Sequence, residues 1–167
     1  MKNDTVTNNV YSWWKTISPR TGYDTYSGAR ADLRRCHSIS DVMFVPEYHH
    51  LLEMSGADRN NPDELASLAV AAWVLSWVKA ELPQGDEKVS FAMQLAKANP
   101  QFKIVRFRRL LETQEFDDLG MQLIRAVRFL GQTADVSSLI DGILFWKRGD
   151  LVKRKWAIDY YRFAKDE

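Results

Sequence analysis

The residues of this chain whose types could do chemistry fall into three groups. His49-His50, with Glu47 and Glu53, is the one cluster of metal-ligand type. A bound metal needs three or four convergent ligands. The remaining histidine, His37, is far away in sequence, so surface or capping roles are expected for the pair. Cys36 directly precedes His37, but adjacent residues on a helix point apart, which argues against a Cys–His nucleophile. A buried, inert thiol on an apolar face with Ala29 and Leu33 is the expectation. No glycine-rich phosphate loop, nucleophile elbow or paired-carboxylate motif is present. Asp117-Asp118 falls in the first turn of a helix, where it complements the helix dipole. The residues therefore predict no catalytic residue, no metal and no cofactor. The third group is a set of arginines and lysines, and its spacing points to polyanion binding.

The chain has 167 residues, with 23 Lys+Arg against 22 Asp+Glu and a net charge of +1. That total conceals a pattern. Residues 1–40 carry 6 basic and 3 acidic residues, a balance of +3. Residues 41–100 carry 4 and 9, a balance of −5, and residues 101–167 carry 13 and 10, a balance of +3. Such asymmetry points to an interaction surface. At 100° per residue, Arg30 and Arg34 form a stripe beside the Ala29/Leu33/Cys36 face. No acidic residue lies three or four positions from either arginine, so their own helix offers them no carboxylate. Phe116, Leu119, Leu123, Ala126, Val127 and Leu130 share one face of a later helix, and Arg125 and Arg128 point away from it. Lys103, Arg106, Arg108 and Arg109 make the densest run, with Ile104, Phe107, Leu110 and Leu111 as its apolar face and Glu112 within reach of Arg108 or Arg109. Lys153, Arg154 and Lys155 open the last helix, where Asp159 can pair with Lys155. Arginine suits a phosphate backbone because its planar fork binds oxygens in pairs. Each such contact releases condensed counterions.

The elements that must position these groups read as helices almost throughout. Val6, Val10, Trp13 and Ile17 have helical spacing, and Pro19 and Gly22 end that helix. The loop 19–28 leads to Ser27 as the cap of a helix over 28–37. A third helix is expected over 41–54. Asn61-Pro62-Asp63-Glu64 is a strong start signal for a long apolar helix reaching about Leu82. Pro83-Gln84-Gly85-Asp86 breaks the chain before a short helix at 90–98. Further helices are expected at 101–113, 116–131, from Asp135 to near Gly149, and at 150–164. No alternating run predicts a strand. The fold class is therefore all-α, a compact bundle of about eight or nine helices. It is one domain over 1–167; if it has two lobes, they are 1–82 and 101–167, hinged near 83–100.

Hydrophobic residues at 46% suffice for a core, and charged residues at 27% with mean hydropathy −0.36 exclude an integral membrane protein. The longest apolar run, Leu65 to Val78, is too short to cross a bilayer. The N-terminus is polar and lacks the apolar segment of an export signal. With one free cysteine, this predicts a cytoplasmic location. All six tryptophans fall on expected helices. Core packing is the default for them, Trp73 and Trp77 included, and base stacking is the rival role for Trp13 or Trp14.

An ordered series of segments then carries a family resemblance: Trp13-Trp14, Gly28 to Cys36, Phe107-Arg108-Arg109-Leu110-Leu111, Gln122 to Leu130, Leu144-Phe145-Trp146, and Val152 to Ala157. In order and spacing the chain resembles the small subunit of the type I-E CRISPR Cascade complex, the CasB family. Segments 56–64 and 83–100 match no family pattern. The resemblance implies an all-helical, non-enzymatic subunit that pairs with a second copy of itself among other Cascade subunits. There it helps hold the heteroduplex of guide RNA and target DNA, and the displaced single strand, while other components recognise the flanking motif and cut. By motif, Arg30, Arg34 and Arg35, then Arg108 and Arg109, then Arg125 and Arg128, then Lys153, Arg154 and Lys155 are the basic residues carried over. Base pairing reads the target in such systems, so the protein needs backbone contacts rather than base readout.

Three rivals follow from the residues. A protein–protein scaffold would turn its arginines toward acidic partners. A small helical metal-dependent enzyme would use His49 and His50. A helix-turn-helix factor needs a tight glycine turn leading into a basic helix, which the chain lacks.

Overall fold

The computed structural model of the chain describes residues 2–19 and 27–166. Residues 20–26, most of the expected loop 19–28, lie outside them. Ten helices are found among the described residues: α1 (Lys2–Ile17), α2 (Ser27–Arg34), α3 (Ile39–Met43), α4 (Pro46–Ser55), α5 (Pro62–Leu75), α6 (Phe91–Lys97), α7 (Ile104–Leu111), α8 (Phe116–Phe129), α9 (Val136–Phe145) and α10 (Leu151–Phe163). Two strands of two residues, β1 (Ala80–Glu81) and β2 (Thr133–Ala134), pair in parallel. The fold is all-α, and no helix among the described residues is long and apolar enough to cross a membrane.

Helix α5 is the centre. Asn61 caps it, its side-chain oxygen accepting from the Glu64 N–H at 3.2 Å, and Pro62 occupies its first turn. Every residue from Ala66 to Leu75 is buried, as expected of a helix that is apolar all round. Helices α3, α4, α8 and α9 pack on it. Helix α1 lies against α4 and α9, burying Val10, Trp13 and Ile17, and α6 packs on α10. Two glycines set close crossings. A Cβ at Gly120 of α8 would sit 2.5 Å from Trp73 Cε3 of α5, and a Cβ at Gly142 of α9 would overlap the Trp156 ring of α10.

Four expectations change. The helix expected over 41–54 is two helices, because Pro46 cannot sit in a helix interior and pushes Val45 to φ −80°, ψ 129°. Helix α2 ends at Arg34, because Ser38 caps α3 by accepting from the Asp41 N–H; Cys36 thus lies beyond the helix and is half-buried. Helix α5 stops at Leu75, well short of Leu82. The chain there becomes β1, with Lys79 N–H donating to Gln132 O at 2.8 Å and Leu82 N–H to Ala134 O at 2.9 Å. A pair of two-residue strands is too short to show alternation, so the sequence carries no sign of it.

Candidate functional site

Helix α5 gives way to a tight turn in which Trp77 N–H donates to Val74 O and Val78 N–H to Leu75 O. The turn lifts the Trp77 ring off the buried face, leaving it half-buried. The guanidinium carbon of Arg34, from α2, lies 4.8 Å from the centroid of that ring, and that of Arg128, from α8, lies at 5.0 Å. Both distances fall within the reach of a cation–π attraction. Burial, then the charges of Arg30 and Arg128, hold the Arg34 pKa below its ordinary value. Guanidinium still stays charged at neutral pH. Two guanidinium groups from two helices, 94 residues apart in the chain at Arg34 and Arg128, therefore meet at one indole, with the charge of Arg30 acting on Arg34.

A second group adjoins the first. Helix α7 turns Phe107 inward, where it stacks on Tyr160 with centroids 3.8 Å apart and planes 8° from parallel. Its arginines are left on the outside. Arg106 and Arg109 line a cleft with Phe102 and with Gln122 and Arg125 of α8. Arg125 and Arg128 are neighbours along one stripe of α8, about 4.5 Å apart in rise, so that helix contributes to both groups. Neither Arg108 nor Arg109 pairs with Glu112 among the described residues; the ion pairs there are Arg35–Asp32, Arg59–Glu53 and His50–Glu47. Lys103 stands exposed at the N-cap of α7, and Arg108 is exposed.

The remaining basic residues stand elsewhere. Arg35 is exposed and held by Asp32 of its own helix. On α10, Lys153 Nζ lies 5.5 Å from the Trp146 ring centroid, and Arg154 and Lys155 are exposed. Asp159, expected to pair with Lys155, instead accepts from Ser90 Oγ at 2.9 Å. No described contact links these α10 residues to the arginines of α2, α7 and α8.

The other chemistry-bearing groups are occupied by the fold. His49 Nε2 contacts Met43 O at 2.7 Å. Glu47 Oε1 takes both His50 Nδ1 and Trp13 Nε1 at 2.9 Å, and Glu53 pairs with Arg59. Among the described residues, no three His, Cys, Asp or Glu side chains gather as a metal site. Burial, then the Asp41 and Asp32 carboxylates, push the Cys36 thiol up, away from the reactive thiolate.

Trp13 and Trp14 are 0% and 4% exposed, with Trp14 Nε1 donating to Val78 O at 3.2 Å, so neither has a face for a base. Of the six tryptophans, Trp77 is the one that is not buried, although its place in an apolar run predicts the core. Four residues after Trp73, it shares that face only if the helix continues, and the charge at Lys79 is the one sign that it does not.

The fold and these residues define a class: a small helical protein with a convergent arginine surface. A family model for CRISPR-associated protein Cse2 matches residues 29–161. The chain belongs to that CRISPR-associated Cse2 family. Its fold is similar to a chain in the crystal structure of E. coli Cascade bound to a PAM-containing double-stranded DNA target, with TM-score 0.72 and 17% identity, over 93% of this chain and 97% of that one. No curated protein matches it.

Proposed function

We propose that the chain is a non-catalytic subunit of a CRISPR RNA-guided surveillance complex in antiviral defence. The arginines of α2, α7 and α8 hold nucleic-acid backbone there, stabilising the guide RNA–target heteroduplex and the displaced strand. Its partners are the other subunits, a second copy of itself, the guide RNA and the target DNA. Family membership and the likeness to a Cascade chain support the place in such a complex. One observation carries the nucleic-acid role: Arg34 and Arg128 converge on Trp77 beside a cleft lined by Arg106, Arg109 and Arg125. Like charges gather at a cost, which a phosphate backbone offsets. A displaced strand has no fixed sequence, and guanidinium forks and counterion release need none.

Salt titration of single-strand binding tests this. Arg125→Ala with Arg128→Ala is expected to keep the helical fold and to flatten the log–log salt slope by about 1.4 units, roughly 0.7 for each lost phosphate contact. An unchanged slope removes both residues from the binding surface. Tagged purification from the native host is expected to bring down a discrete guide RNA with several partner proteins; a lone chain without RNA counts against the complex.

A further inference from the structure

We propose that Trp77 is a positioning residue: its indole holds the guanidinium groups of Arg34 and Arg128 at the spacing in which they engage phosphates. This rests on the proposed reading of the arginine surface. Two observations and one general argument carry it. First, both guanidinium carbons lie within 5.0 Å of the ring centroid, and neither arginine has a carboxylate partner among the described residues. The π face is thus the attraction that opposes their mutual repulsion. Second, Trp77 Nε1 is buried without a hydrogen-bond partner, whereas Trp14 Nε1 and Trp146 Nε1 donate to Val78 O and Thr113 O. A buried donor left unmet costs stability. Phenylalanine could pack there without that cost; what indole adds is the strongest cation-binding face among the side chains. Third, arginine has many rotamers, and ordering two of them before binding removes an entropic cost from the binding step.

A structural role and a positioning role differ in sign. Trp77→Phe removes the unmet N–H and weakens the π face. It is expected to melt at or above the wild-type temperature and yet to bind a twenty-residue oligothymidine about threefold more weakly at low salt. Trp77→Leu, with no π face, is expected to bind about tenfold more weakly. Adding it to Arg34→Ala/Arg128→Ala should cost little more, because the indole acts through those arginines. If the arginine pair weakens binding and both Trp77 variants bind as wild type, the inference falls and the surface reading stands. If the arginine pair itself binds as wild type, the surface reading falls and takes the inference with it. A Trp77→Phe protein whose melting temperature drops with its affinity also overturns the inference, since that marks a packing role. Should Trp77→Leu fail to fold, Trp77→Phe alone decides.

Discussion

Helix α8 shows Arg125 and Arg128 to solvent, and α10 shows Arg154 and Lys155. On sequence both are helices with basic residues on the outside, the α8 pair without an acid three or four positions away and Lys155 of α10 within reach of Asp159. Their surroundings differ. The α8 arginines meet cations from α2 and α7, at an indole and in a cleft. Exposed apolar residues stand in both regions, Leu151 and Ile158 on α10 and Val105 and Met121 on α7 and α8, but no second helix brings cations to Arg154 and Lys155 among the described contacts. The difference between the two regions lies in the meeting of charges from separate helices, which α8 has and α10 lacks among the described contacts. Density of charge along the chain is thus a poor guide to where charges from different elements converge.

The largest effects should come from the two close crossings. Gly120→Ala drives a methyl into Trp73 beneath α8, and Gly142→Ala drives one into Trp156 beneath α10. Each is expected to cost about 1–3 kcal/mol in chemical denaturation. Only Gly120→Ala should also weaken single-strand binding by the folded protein, because only α8 carries the convergent arginines. Equal losses of affinity in both would break the comparison. Next in size, replacing Lys153, Arg154 and Lys155 together by alanine should leave the oligonucleotide salt slope unchanged. A slope flattened by about 0.7 per residue removed would place α10 on the same surface.

The smallest effect serves as a control outside both regions. Glu81 of β1 accepts from Val136 N–H, and its carboxyl is held above its ordinary 4.5, mainly by burial and further by Asp135. The folded state therefore binds this proton more tightly than the unfolded chain. Its contribution is full below pH 4.5 and is lost as pH rises through the folded value. Glu81→Gln keeps an acceptor without the ionisation. Its stability relative to wild type should rise with pH across that window in thermal melts, and its affinity for DNA should not change. A cysteine-labelling assay adds one more check: Cys36 should react more slowly at pH 8 than a free thiol.

Much of this was legible beforehand where the information is local. The Asn61-Pro62 start, the Asp135 start and the apolar face of α8 all depend on residues within a few positions of one another. The arginine stripes of α2 and α8 were legible as stripes, because angles within one helix follow from its pitch. Their meeting was not, since periodicity is silent on which helix faces which. Trp77 was misplaced for a related reason. The same apolar run would continue α5 to Leu82, and what stops it is a hydrogen-bonded partner at 132–134.

That partner has a consequence for tolerance. The β1–β2 bridge begins three residues after Trp77 and five after Arg128. It therefore rivets the indole's segment to the end of the helix bearing the guanidinium. Slipping its register by one residue would displace the two segments by about 3.3 Å. Attraction between a cation and a ring fades beyond about 6 Å, and Arg128 already stands at 5.0 Å. Two residues of sheet in a helical protein thus act as a gauge block, setting to within one peptide step the distance on which the arginine surface depends.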